Sequence, residues 1–346
     1  MKQISTIGLD LAKQVFQVHG VDAAGKTLFN KKLLRAEVEK FFKSLPSCDV
    51  AMEACSSAHH WARSIAALGH RTMLIPAQYV KPFVKRGKTD AADAQAICTA
   101  VVHGNMRLVP VKSIDQQAIT VLFQTRSLFI RQRTKAFNAL RSHLAEFGLI
   151  AARGTHNLNG LIDLLRREDC PIPTLARRAI LSISDEITTL KTKITELDRE
   201  LTLHASQDDD ISRLTTIPGV GRVTAGMIKA YVPDPGSFKS ARHFAAWLGL
   251  TPKAHSSGGK ARVGRISKMG NANLRSLLVI GAMTIIREAR KDDGQQGWVQ
   301  RLLLRRPYKV VAVAMANKTA RIIWALLNKG GTYRGLSGSS ENQEIA

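Results

Sequence analysis

Four acidic residues stand where a sheet and a helix would gather them. Asp10 closes a β-rich run in IGLDLA, Glu53 closes another in VAMEAC, and Asp90 and Asp93 open a helical pattern in KTDAADA. Spacing of i, i+3 puts Asp90 and Asp93 on one helical face, and acids ending adjacent strands converge at one edge of a sheet. Carboxylates crowded in this way repel one another, and Mg²⁺ or Mn²⁺ relieves the repulsion. Two such ions ~3.5–4 Å apart serve the attacking and leaving oxygens of a phosphodiester displacement. Lys88 lies beside the acidic pair and is placed to meet a phosphate. Taken singly, Asp10 reads as a turn cap and Asp90 as an ordinary acid at a helix start. It is the set of four, on three elements, that points to a metal site.

A second chemistry is suggested between Leu250 and Lys260, where LTPKAHSSGGK is followed by Arg262, Arg265, Lys268 and Arg275, with Lys253 inside it. Ser-Ser-Gly-Gly is a linker composition, and the Gly-Gly-Lys lacks the upstream glycine of a phosphate-binding P-loop. A serine ringed by cations is equally what a phosphoryl-transfer nucleophile needs, because the cations stabilise the charge of the in-line transition state. A third signal is IPGVGRVTA at 217–225, a hydrophobic-Gly-x-Gly turn between two helical patterns that reads as a helix-hairpin-helix. Gly219 and Gly221 let a backbone approach phosphate, and Arg222 opens the second helix, whose free N–H groups face an anion. A plain helix–helix turn is the competing reading. A dinucleotide fingerprint is not, since the third glycine of GxGxxG is missing.

The elements that must hold these residues divide the chain. Residues 1–110 alternate β-rich runs (Ser5 to Leu11, Val15 to Val21, Thr27 to Leu33, Val50 to Ala54, Thr72 to Ile75) with helical patterns, and Asp22 to Gly25 forms a hairpin-like turn. This predicts an α/β domain in which three early strands make an antiparallel meander and the later ones add in parallel. Residues 111–205 carry two long helical patterns, about 115–147 and 174–204. In the second, Ile180, Ile183, Ile187, Leu190, Ile194, Leu197 and Leu201 form a heptad seam, read as a coiled-coil contact between two copies, with packing inside the chain as the alternative. Arg126, Arg131 and Arg133 lie on the first helix as candidate phosphate contacts. Residues 206–331 read as a mainly helical domain, and 332–346 as a disordered Gly/Ser-rich tail.

With 51 Lys and Arg against 27 Asp and Glu among 346 residues, the net charge is +24, which attracts polyanions. The surplus is +7 over 1–110, +4 over 111–205 and +13 over 206–346. Cys48, Cys55, Cys98 and Cys170 form no CxxC pair and read as reduced, packing thiols. The longest apolar run, Leu277 to Ile286, is shorter than the roughly 20 residues of a membrane span, and the first residues lack a signal-peptide core, so a cytoplasmic protein is expected.

Taken in order, GLDLAK, MEA, KTDAADA, IPGVG, ARHFAAWLGLTP, SSGGK, GRISKMGNANLR and VAVAMANKTARIIWALL resemble the DEDD transposases of insertion sequence family 110, its 1111 subgroup in particular, over nearly the whole chain. The resemblance implies a RuvC-type, RNase H-like domain whose Asp10, Glu53, Asp90 and Asp93 hold Mg²⁺ or Mn²⁺. It also implies a helical coiled-coil insert and a C-terminal domain whose serine attacks DNA. Ser257, before Gly258, takes the place of the family's serine, with Ser256 the alternative one residue away. An element-encoded RNA that pairs with donor and target DNA is implied too, as is a dimer or tetramer with a shared site. Two other readings remain open: a resolvase-like nuclease using metal-activated water, and a non-catalytic nucleic-acid binder.

Overall fold

The computed structural model describes residues 3–84, 89–104, 106–150, 152, 154, 156–254, 263–291 and 297–334. Two compact units follow one another, Met1–Asp115 and Gln116–Ala346.

The first unit is built on a five-stranded mixed sheet. Strands β1 (Thr6–Asp10), β2 (Val15–Val21) and β3 (Thr27–Leu34) form an antiparallel meander. Its second turn closes on Asp22, whose carboxylate accepts from the amides of Ala24 and Lys26 at 3.0 and 2.9 Å. Gly25 there adopts a φ of 77°, the left-handed conformation that favours glycine. Helix α1 (Val38–Lys43) leads to β4 (Asp49–Glu53), and α2 (Ala58–Ala67) leads to β5 (Arg71–Ile75). Both late strands are parallel, giving the order β3-β2-β1-β4-β5. The short α3 (Ala77–Val80) precedes α4 (Asp90–Val102).

Alternation along the strands sorts side chains to two faces. Ile7, Leu9, Val50 and Met52 pack with Phe42 of α1 and with Trp61 and Ile65 of α2. On the other face Ala51 packs with Ala96, Ile97 and Ala100 of α4. Gly8 shares that face, and a Cβ there would stand 2.2 Å from the carbonyl oxygen of Ala94. Glycine thus lets α4 lie directly on β1.

Among its described residues the second unit is helical apart from one ribbon. Helices α5 (Ile114–Ala145) and α7 (Thr174–Ala205) run antiparallel, with α6 (Asn159–Arg166) between them in sequence. Phe137, Leu140 and Leu144 of α5 bury against Ile180 and Ile187 of α7 and Leu165 of α6. The ion pair between Arg126 and Asp198 closes the other end, with Nη2 3.2 Å from Oδ2. The heptad seam is therefore spent inside the chain: Ile180, Ile187, Leu190, Ile194 and Leu201 are all buried, which corrects its reading as a contact between copies.

Phe123, Leu201 and Ala205 continue into a core shared with α8 (Asp209–Thr215), α9 (Arg222–Tyr231), α10 (Ala241–Trp247), α11 (Ala272–Ala289) and α13 (Tyr308–Lys329). Side-chain caps fix several starts: Asp208 accepts from Asp210 and Ile211, and Asn271 accepts from Asn273 and Leu274, all at 2.8–3.1 Å. Helix α12 (Trp298–Leu303) packs on α11 and α13. By length and composition α13 is apolar enough to cross a membrane, but its Val311, Ala312, Ala316, Ala320 and Ile323 are buried in the protein core. Strands β6 (Pro252–Ala254) and β7 (Val263–Ile266) form a two-stranded antiparallel ribbon in a region read as a bare loop within a helical domain.

Candidate active site

Asp10 and Glu53 end the two central parallel strands, where Leu9 pairs with Met52. Since Asp10 follows Gly8 by two residues and Glu53 follows Ala51 by two, both project to the face covered by α4. Asp90 and Asp93 lie in the first turn of α4, whose N-cap is Thr89; its hydroxyl accepts from the Ala92 amide at 3.2 Å. The positive end of the helix favours both acids. Convergence is felt at Asp10: burial first, then the charges of Asp93, Asp90 and Glu53, push its carboxyl up to about 6, against a hydrogen bond from the Leu11 backbone. The four acids thus share one electrostatic neighbourhood. Among the described residues no three Asp, Glu, His or Cys side chains are gathered tightly enough to enclose a metal ion.

A fifth oxygen belongs with them. Gln17 pairs with Asp10 in the β1–β2 ladder and therefore shares its face. It is 5 % exposed, its Nε2 donates to Asn30, and its Oε1 is buried without a donor. Carboxylates and an amide oxygen are hard donors, and the repulsion among the four acids is what a divalent cation would offset, so their chemistry suits such an ion although they are not drawn together around one. Nothing in the spacing of β2 singles out Gln17. Gly8 and Thr89 do carry signals, a glycine inside a strand and a Thr N-cap followed by acids in the first turn.

Outside this cluster the expected residues scatter. Lys88, Ser257, Lys260 and Arg262 lie outside the described residues, as does Ser256. The two strands of the ribbon hold the ends of the segment that contains Ser257, with Ala254 paired to Val263. Lys253 and Arg265, on those strands, are exposed, as is Lys268, which adopts a φ of 56°. Arg275 is instead a structural tie: its guanidinium donates to the carbonyls of Leu248 at 3.1 Å and Met269 at 2.7 Å. Arg126 is likewise engaged, in an ion pair with Asp198. On α5, Arg131 is exposed and Arg133 partly so.

The expected turn lies between α8 and α9. Gly219 has a φ of 76°, and a Cβ on it would stand 2.6 Å from the Gly281 carbonyl oxygen of α11. Glycine at 219 is thus required by the packing of the turn on α11. Gly221, the N-cap of α9, has open space around it, and no side chain caps the helix; Arg222 beside it is exposed.

Two family models match the chain. One, described as "Transposase IS116/IS110/IS902 family", covers residues 211–296. The other, DEDD_Tnp_IS110, described as "Transposase", covers residues 7–148 and so contains all four acids. The "Probable family 20 transposase" of Pseudomonas aeruginosa is 48 % identical over 96 % of this chain and 99 % of its own length. The "Putative transposase y4pF/y4sB" of Sinorhizobium fredii is 43 % identical over 99 % of this chain and 88 % of its own. The "Transposase for insertion sequence element IS1111A" of Coxiella burnetii is 38 % identical over 96 % of this chain and 92 % of its own.

Proposed function

Because the chain belongs to the IS110 family of DEDD transposases, we propose that it excises and inserts its element by serine-mediated exchange of DNA strands. The observation that carries this reading is the convergence of Asp10, Glu53, Asp90 and Asp93 on the α4 face of an RNase H-like sheet order in a chain of net charge +24. The division of labour follows the chain: residues 1–110, RuvC-like, supply the acids, 111–205 the helical hairpin, and 206–331 the serine.

The four acids, with Gln17 opposite Asp10, would hold Mg²⁺ or Mn²⁺, which when bound supplies Lewis-acid polarisation of the scissile phosphate. Ser257 attacks the phosphorus through Oγ and loses its proton. The P–O bond to one strand end breaks, and that end leaves as a free hydroxyl. The other end stays on the protein as phosphoserine, which conserves the phosphodiester energy and lets religation proceed without ATP. Lys253, Arg265 and Lys268, exposed on and beside the ribbon, stand ready to offset phosphate charge, and Gly221 and Arg222 offer a second phosphate contact. Choice of donor and target sequence is delegated to base pairing with an RNA from the same element, for which the cationic surface supplies the backbone contacts. The protein acts in the cytoplasm as a dimer or tetramer.

The test is a labelled DNA strand that survives denaturing electrophoresis attached to the protein in the presence of Mg²⁺. The adduct is expected from wild type and from Ser256→Ala, and is lost in Ser257→Ala. An adduct that persists in Ser257→Ala overturns the assignment. Cleavage by wild type without any adduct turns the reading to a nuclease using metal-activated water.

A further inference from the structure

The ribbon forms one wall of an open groove of about 1200 Å³, whose other wall is α13 with the start of α12. Five cations line it: Arg265, Lys268, Lys309, Lys318 and Arg321. Among the described residues no carboxylate lines it, and none of the five is in an ion pair. Such a wall is held apart by its own repulsion and takes a polyanion.

The floor has a different character. Leu250, Val313 and Ala314 are apolar, and Trp298, 40 % exposed, stands at the rim. Lys318 rests 5.0 Å from the centre of the Trp298 ring, its partner being a π face rather than an acid. Asn317 is anchored by donating to the Leu250 carbonyl at 3.3 Å, which leaves its own oxygen as an acceptor in the groove lining. A DNA duplex presents phosphates outward but keeps its base faces stacked, so an indole and an apolar floor are of no use to it. An unpaired nucleotide uses both, with its backbone among the cations and its base against the aromatic ring. Location adds the third argument. Ser257 follows Ala254, the end of β6, by three residues, so covalent reach keeps it within about 10 Å of that strand end.

We propose that this groove receives an unpaired nucleotide of the DNA strand beside the phosphate that Ser257 attacks, with the base stacked on Trp298 and the backbone held by Lys318 and Arg321. The placement beside the scissile phosphate rests on the serine mechanism proposed above, whereas the groove's preference for an unpaired nucleotide does not.

Binding is therefore measured without metal, on the full chain, by fluorescence anisotropy with a short single-stranded DNA, the same strand carrying one abasic position, its blunt duplex, and the matching RNA. Trp298→Ala is expected to weaken single-stranded DNA on the order of tenfold and to leave the duplex within about twofold, the loss of one stacked base. Trp298→Phe keeps most of the affinity. In wild type the abasic strand binds as weakly as the intact strand binds Trp298→Ala, and in Trp298→Ala it loses nothing more. Arg321→Gln weakens all ligands and flattens the salt dependence. Equal loss of single strand and duplex in Trp298→Ala, or no loss at all, overturns the proposal. A larger loss for RNA than for DNA assigns the groove to RNA and overturns it as well. Failure of the phosphoserine adduct, with the Trp298 effect intact, removes only the placement beside Ser257.

Discussion

Asp10 is at once the most constrained and the least comfortable of the acids. It is half-buried at a strand end, three other carboxylates raise its pKa, and the buried oxygen of Gln17 lies on the same face without a donor. A folded chain without metal bears the cost of that arrangement, and it is of no use to the fold. Asp10→Asn removes one charge and adds a donor that Gln17 can accept. The expected outcome is an inactive protein that melts a few degrees higher than wild type in EDTA, read by calorimetry beside a DNA-cleavage assay; a lower melting point would make Asp10 a structural residue. Glu53→Gln, Asp90→Asn and Asp93→Asn should abolish cleavage with smaller changes in stability. At this scale the sequence was informative wherever a period existed, because strand alternation and the i, i+3 step are local. Gln17 joins the site through a ladder partner, and Arg126 and Arg275 find acceptors on other elements. Such partners are set by tertiary packing and leave no local pattern.

Helices α5 and α7 show how a correct pattern led to the wrong partner. Their lengths were legible to within two or three residues, and the heptad spacing of α7 is real, but a seam does not say which helix fills it. An antiparallel hairpin within one chain has the entropic advantage over association of two chains, and α5 offers Phe123, Phe137, Leu140 and Leu144 on the matching face. Ile187→Ala should then cost about 2–5 kcal/mol, the usual penalty of a buried cavity, while leaving the oligomeric state unchanged in light scattering. Dissociation into monomers at constant stability would restore the seam to an interface. The five strands of the first unit were legible for the opposite reason, since each is a short β-rich run between turn residues, and the meander-then-parallel order follows from the linker lengths. The ribbon was not, because three- and four-residue strands flanking a Ser/Gly segment have too few alternations to register. The groove beside it draws its lining from positions as distant as Leu250 and Arg321, a gathering that only tertiary packing reveals.

For the whole molecule, the proposed mechanism needs acids of one unit and a serine of the other to serve one phosphate. Asp93 and Ser257 are separated by the long α5–α7 hairpin in sequence, and on the proposed mechanism exchange of two DNA strands needs at least two serines acting together. A symmetric dimer supplies two of everything without further sequence, and it permits a site closed by acids from one protomer and the serine of its partner. Mixing inactive variants decides this. In an equal mixture of Asp10→Asn and Ser257→Ala chains that exchange freely, half of the dimers are mixed, and in each of these one of the two shared sites has all its groups intact. About a quarter of the wild-type adduct should therefore return, although either variant alone gives none. The chain that carries the DNA is also determined. With the two variants made in different lengths by a tag, the labelled strand must migrate with the Asp10→Asn chain, which alone retains Ser257. No adduct in a mixture shown by pull-down to contain mixed dimers would place acids and serine within one protomer.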